Sequence, residues 1–373
     1  MSAESGKYPR TPSPVEYKDK SPLLSGKELG QLSTQYDIPT EDILLIALNT
    51  SGIKYKDIVN DRGRFTAIFP NGRSYFLALT INNQPLSPFE YKNAQIIFDG
   101  EAIAEATSIE KDTCTDSYWR GGKKHLTLNS NSRSMCRGCS FCGTYSLEND
   151  DQALTKPNAL RKKAESLSRE LGSDLSALES VGVVTGCFSN ERRLVDHLMM
   201  IRQIFGEFGF RGELRYIGSQ LRSAEALREV ISSGPFALYL TVEAFERREK
   251  LMKRTKSSLN LESGRHALET ARKMGAETCF LYIAGLDSHD AMHKEFPLYV
   301  PSLTRLPQVQ TFQAYVPGQA TLRYPGAASI EYFLKARKIV ERTYPHLLPI
   351  AANNFRGLWF AKYDQYALPN EKI

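Results

Sequence analysis

Apolar positions recur along the chain with two textures, and the change between them divides it in two. From about Gly26 to Glu110, two helix-like stretches come first. The second, EDILLIALN, follows Asp37-Ile-Pro-Thr40, where Thr40 is placed to cap it. RFTAIF and SYFLALTI then read as strands joined through Pro70-Asn71-Gly72-Arg73, a hairpin signal, and AQIIFDG reads as another strand. This predicts a small α+β unit over residues 26–115, without obvious chemistry of its own.

From about Lys123 the pattern becomes strand, helix, strand. KHLTLN leads, and a helix is predicted over Pro157–Leu171, where Leu160, Ala164, Leu167 and Leu171 share a face and Gly172 stops the run. SVGVVTG, ELRYIG, FALYLTV, TCFLYIAG and VQTFQAYV read as further strands. Between them fall a helix with Leu194, Leu198, Ile201 and Phe205 on one face, then SAEALREVI, LESGRHALETARKMG and, last, SIEYFLKARKIVE. About six β/α units imply an α/β fold with parallel strands and outer helices, in which chemistry gathers at the strand C-termini. The repeating region is expected over 116–345, with a C-terminal extension at 346–373.

Composition changes this picture little. Hydrophobic residues make up 41% and charged residues 24% of the 373, ordinary values for a chain with a real core. No apolar run approaches the ~20 residues of a membrane span. The start, MSAESGKYPRTPSPVEYKDKSP, is polar, so residues 1–25 are expected to be a disordered tail on a cytoplasmic protein without membrane contact. The net charge is +6, scattered rather than blocked. Its densest run, FERREKLMKRTK from Phe245 to Lys256, reads as a solvated helix and loop, with nucleic acid or an acidic partner as the other reading.

The chemistry concentrates in Met135-Cys136-Arg-Gly-Cys139-Ser-Phe-Cys142-Gly, just after the first strand of the repeating region. Three of the six cysteines lie within seven residues, a clustering that points to metal rather than a disulfide framework. Three thiolates at this spacing can grip three irons of a cubane cluster. The ferredoxin run that shares these intervals would place its fourth ligand where this chain has Ser146, so one iron is left open to a cofactor or substrate. The alternative is structural zinc, with Cys114, His125, Cys187 or Cys279 completing the set.

A three-cysteine loop after the first strand of a β/α repeat, with aromatic Phe141 just before the third cysteine, resembles the radical S-adenosylmethionine superfamily. The resemblance covers about Lys123 to Arg342; the spacing C-x2-C-x2-C is one residue shorter than the common C-x3-C-x2-C. It implies a partial (β/α)6 TIM-like barrel with a small N-terminal α+β appendage. It also implies a 4Fe–4S cluster on Cys136, Cys139 and Cys142, and S-adenosylmethionine bound at the open iron. Reductive cleavage would yield a 5′-deoxyadenosyl radical that takes hydrogen from an unactivated carbon. Carried onto this chain, the resemblance implies that the turn at Thr185 and Gly186 meets the methionyl amine. Ser219 and Gln220 would end the third strand beside the cofactor, Glu243 would hold the ribose diol, and Arg254 or Lys256 would pair with the methionyl carboxylate. Tyr282, Ala284 and Gly285 would line the adenine pocket, Gln313 and Tyr315 would lie on the sixth strand, and Asn353, Asn354 and Arg356 are candidates to meet substrate. An acidic electron donor such as flavodoxin or ferredoxin is implied, with Arg247–Lys256 as its candidate dock. The expected substrate is a small molecule, undergoing rearrangement, cyclisation or carbon–carbon bond chemistry in a biosynthetic pathway. Nucleic acid is disfavoured, although a peptide or nucleic acid recognised by residues 26–110 stays open.

Overall fold

The computed structural model describes residues 24–58, 61–82, 87–112, 118–131, 139–142, 154–315, 317–350, 356–366 and 370–372. Two sheets organise them. Helix α1 (Gly26–Tyr36) opens with a capping box in which Ser25 and Glu28 satisfy each other's backbone amides. Helix α2 (Thr40–Ser51) is capped differently from expectation: Pro39 is the N-cap, Thr40 is already helical, and no side chain caps the end. The carboxylate best placed to serve that first turn, Asp42, is committed elsewhere. All residues from Asp42 to Ser51 are buried, as an almost uninterrupted apolar helix requires.

The first sheet holds β1 (Asp61–Ile68), β2 (Ser74–Ile81), β3 (Phe89–Lys92), β4 (Gln95–Phe98), β5 (Glu101–Ala106) and β6 (Glu110–Lys111). Its order is β2-β1-β5-β4-β3, with β6 beside β1, and the predicted hairpin closes with Ile68 opposite Ser74. Ile53 bridges Ile81 and Lys54 bridges Glu90, so one short segment covers both outer strands of this sheet.

The second sheet begins with β7 (Tyr118–Arg120) and β8 (His125–Leu128), then α3 (Pro157–Leu171), β9 (Ser180–Val184), α4 (Glu191–Glu207), β10 (Glu213–Gly218) and α5 (Ala224–Ser232). It continues with β11 (Phe236–Glu243), the short α6 (Arg248–Leu251) and α7 (Arg254–Ser257), α8 (Leu261–Lys273), β12 (Glu277–Ala284) and α9 (His289–Tyr299). Strand β13 (Gln308–Thr311), α10 (Ile330–Thr343) and β14 (Asn370–Lys372) complete it. Strands β8 to β13 lie side by side in sequence order and all parallel. Antiparallel β7 and β14 extend the β8 edge. The sixth strand is shorter than VQTFQAYV suggests: it stops at Thr311, and Gln313 and Tyr315 follow it. Helix α9 carries Pro297 and was not anticipated.

Burial fixes the parity of the strands. Leu214, Tyr216, Leu240, Phe280 and Tyr282 pack in the main core with residues of the outer helices. Arg215, Ile217, Leu281, Ile283, Gln308 and Gln310 point the other way and are half-buried, so the inner face keeps accessible space. At the N-terminal ends of the strands that face is closed by paired charges. Glu213 accepts from Arg215 at 2.5 Å, and Glu277 accepts from Tyr239 at 2.5 Å and Arg305 at 2.6 Å.

The first sheet is docked on the second through buried polar contacts. Arg337 on α10 meets Asp42 on α2 at 2.6 Å, with 1% and 0% of their side chains exposed. Asp42 also accepts the amides of Phe360 (2.9 Å) and Ala361 (2.7 Å). Gln313 donates to Asn49 Oδ1 (2.9 Å) and to the Ala78 carbonyl (3.0 Å). The C-terminal residues reach both ends of the second sheet, Gly357 bridging Gln310 and β14 pairing with β7. Among the described residues no helix is long and apolar enough to cross a membrane.

Candidate functional site

The cysteine segment comes to the C-terminal ends of β11, β12 and β13. Cys136 lies outside the described residues. Cys139 and Phe141 are buried and Cys142 is half-buried, packed with Ala244, Leu251, Met252, Leu286, Phe312 and Ala314. The Ser140 amide and hydroxyl both donate to the Leu251 carbonyl, at 2.8 and 3.0 Å, and the Cys142 amide donates to the Cys139 carbonyl at 3.1 Å. The chain entering this loop is held on the opposite flank. Asn131 and Gly186 exchange two bonds of 3.4 Å, and the Ser130 hydroxyl lies 2.7 Å from Nε2 of His197.

The surroundings of Cys139 act on its thiol in two directions. Burial raises the Cys139 thiol's pKa, while the Lys256 charge and the Lys253 amide draw it down. The net effect favours the neutral thiol in the absence of further positive charge. Of the candidates for the zinc alternative, Cys187 is half-buried three residues past β9. His125 is engaged with Ser180 at 2.8 Å at the start of its strand, and Cys279 is wholly buried, its thiol donating to the Leu306 carbonyl at 3.3 Å. Cys114 lies outside the described residues, among which no group of three or more metal-binding side chains stands together.

Glu243 sits where β11 ends, in an unusual backbone. Its φ is 70°, and the Ala244 amide donates to the Val242 carbonyl at 2.9 Å, making a tight γ-turn with Glu243 at its centre. A non-glycine residue held this way costs on the order of 1–3 kcal/mol and turns its side chain out of the strand's register. The carboxylate pairs with the Lys256 ammonium. Burial alone would lower the Lys256 pKa, but Glu243 and the two thiols outweigh it and raise it. Arg254 opens α7, with its side chain outside the described residues; Lys256 is the cation placed at Glu243.

The basic run is solvated only in part: Glu246, Glu249 and Lys250 are exposed, whereas Arg247 and Arg248 turn back onto backbone. Arg248 donates to the carbonyls of Val242 (2.6 Å), Ala244 (2.5 Å), Leu259 (3.0 Å) and Lys256 (3.3 Å), folding the loop onto the strand end. Arg247 reaches the carbonyls of Leu286 and Leu322. Three residues past β12, Asp287 accepts the amides of Phe245 (2.7 Å) and Glu246 (2.9 Å) and the Tyr282 hydroxyl (2.9 Å). Burial pushes the Asp287 carboxyl up to about 6 against the pull of these donors. Arg247, Arg248 and Lys256 are thus engaged within the loop and the strand ends.

The remaining sequence candidates distribute around the same strand ends. Thr185 and Gly186 follow β9, with the Gly186 backbone taken by Asn131. Ser219 is buried just past β10, and Gln220 beside it exchanges two 2.8 Å bonds with the Phe188 backbone. Tyr282 faces the helix side, where it stacks on Phe245 with ring centroids 4.7 Å apart, and so does not line the inner face. Asn353 and Asn354 lie outside the described residues, while Arg356 donates to the Tyr315 hydroxyl (2.6 Å) and to Gln310 (2.8 Å). Asp287, Gln319 and His197 escaped the sequence reading. Each has a partner on backbone or a hydroxyl far away in the chain, and neither motif nor periodicity marks such a residue.

No family model matches the chain, and no curated protein matches it in sequence. Among solved structures it is similar to the radical S-adenosylmethionine methyltransferase TsrM from Kitasatospora setae, with cobalamin and a [4Fe-4S] cluster bound. That likeness has a TM-score of 0.38 and 12% identity, covering 52% of this chain and 38% of that one. It is also similar to HydG, a maturase of the [FeFe]-hydrogenase, with a TM-score of 0.43 and 13% identity, covering 62% of this chain and 52% of that one. The chain thus spans about half or less of each of these structures, and the functional argument rests on its own residues.

Proposed function

We propose that this chain is a radical S-adenosylmethionine enzyme built on a partial (β/α)6 TIM-like barrel. The observation that carries the reading is the Cys139–Cys142 turn in an apolar pocket at the mouth of six parallel strands, beside the strained Glu243 and its partner Lys256. Cys136, Cys139 and Cys142 would hold a 4Fe–4S cluster. When bound, that group supplies one electron to S-adenosylmethionine, whose reductive cleavage yields a 5′-deoxyadenosyl radical able to take hydrogen from substrate.

The chain's own residues bind and orient. Phe141 and Phe312 keep water from the thiols. Glu243, turned out of register, accepts the ribose hydroxyls. Thr185, Gly186 and Ser219 line the cofactor on the β9 and β10 side, and Arg254 or Lys256 receives the methionyl carboxylate. Below them, the half-buried inner face with its closed, charge-paired floor suits a small-molecule substrate better than a polymer. Rearrangement, cyclisation or carbon–carbon bond chemistry in a cytoplasmic biosynthetic pathway follows as the reaction class, with flavodoxin or ferredoxin as electron donor.

Anaerobic reconstitution tests the reading. The protein should take up roughly four irons per chain, turn brown and show a broad visible absorbance that dithionite bleaches. A colourless protein holding one zinc, unchanged by Cys139→Ala, would refute it.

A further inference from the structure

Gln319 is buried, with 6% of its surface exposed, and its amide is used at both ends. Oε1 accepts the Tyr315 amide at 2.8 Å, and Nε2 donates to the Ser140 carbonyl at 3.0 Å. Ser140 lies between Cys139 and Cys142, and its own amide and hydroxyl go to Leu251. The peptide that sets the separation of the two thiols is thus gripped from both sides, by Leu251 on one and Gln319 on the other.

Beyond Gln319 the contacts continue. The Tyr315 hydroxyl accepts from Arg356, which also donates to Gln310 on the inner face of β13. Arg62 of β1 lies over the Tyr315 ring, 5.2 Å from its centroid. One run of contacts therefore joins the cysteine turn, the inner wall and the first sheet.

We infer that Gln319 is a positioning residue that fixes the cysteine turn to the inner wall at Tyr315. The turn's geometry then answers to what occupies that wall and to the seating of the first sheet. A neutral amide is needed, because the position must accept from an N–H and donate to a carbonyl at once. Glutamate of the same shape keeps the first bond and sets a carboxylate oxygen against the Ser140 carbonyl; leucine loses both. The role in metal binding rests on the function proposed above, but the mechanical link does not, so the two are tested separately.

Hydrogen exchange on the metal-free protein reads the link itself. In Gln319→Glu and Gln319→Leu the amides of Ser140 and Cys142 should exchange about tenfold faster, with exchange in α4 unchanged. Wild-type exchange at these amides in Gln319→Glu overturns the assignment, and that isosteric variant decides the matter if Gln319→Leu loosens the whole chain. On reconstituted protein, both variants should lose iron to a chelator faster and show an altered low-temperature EPR signal of the reduced state. Accelerated exchange with unaltered iron loss and EPR overturns the role toward the metal. Failure of the wild type to take up iron at all strikes the proposed function instead.

Discussion

Lys256 pairs with Glu243 across the loop that follows the fourth parallel strand, and Glu243 reaches it from a left-handed backbone at φ 70°. The strain persists because Arg248 and Asp287 hold the turn through its carbonyls and amides. Such over-determination is what a residue needed at one position in space requires. Glu243→Gln keeps shape but gives up the charge and one acceptor. S-adenosylmethionine binding by calorimetry should weaken at least about tenfold, since each lost charged hydrogen bond is worth about 1.5–3 kcal/mol. Unchanged affinity would remove Glu243 from the cofactor site.

His197 makes stability depend on pH. Burial pushes its pKa down to about 4 from 6.5. Between those values the unfolded chain binds a proton there that the folded chain does not. The stability concerned is complete above pH 6.5 and is lost as pH falls through 4; the part lost by pH 5 is about 2 kcal/mol. Urea midpoints at pH 7 and pH 5 should converge in His197→Asn relative to wild type. Equal pH dependence in the two proteins would show that another group is responsible.

Most of the parallel strands and outer helices were legible because they are apolar runs or carry one apolar side, whereas the short β3, β5, β6, β7 and β14 were not. Leu194, Leu198, Ile201 and Phe205 illustrate this on α4, all buried. What stayed illegible depends on partners distant in the chain. Asp42 reads as a first-turn helix residue, yet it answers Arg337 across 295 positions. Near partners can be equally unmarked: Arg248 reads as surface, yet it turns back onto the carbonyls of Val242, Ala244, Lys256 and Leu259. The cysteines declare themselves by clustering, whereas the residues that seat them do not.

The buried Arg337–Asp42 pair should be the costliest single contact to break between the two sheets. Asp42→Ala takes one of two carboxylates from a guanidinium that is 1% exposed, leaving it Glu341 and the Leu358 carbonyl, and frees the amides of Phe360 and Ala361. A loss of about 3–5 kcal/mol in chemical denaturation is expected. The double change Asp42→Leu, Arg337→Leu should recover part of it; a double variant no more stable than Asp42→Ala would contradict the charge argument.

Gly285 sits at φ 112°, and a Cβ added there would lie 2.9 Å from Cβ of Phe312 in the wall beside Cys139. Gly285→Ala combines backbone strain with a clash against a core residue, so about 2–3 kcal/mol of stability should be lost. Iron retention should fall with it, because Phe312 shields the thiols. Thermal unfolding and iron analysis of the purified variant check both effects.

The most direct measurement is release of 5′-deoxyadenosine from S-adenosylmethionine by the reduced, reconstituted protein, followed by chromatography. A radical S-adenosylmethionine enzyme releases it once dithionite or a flavodoxin system is added, and Cys139→Ala abolishes the release. An intact iron–sulfur protein that leaves S-adenosylmethionine uncleaved under those conditions, or cleavage that survives the loss of Cys139, contradicts the assignment.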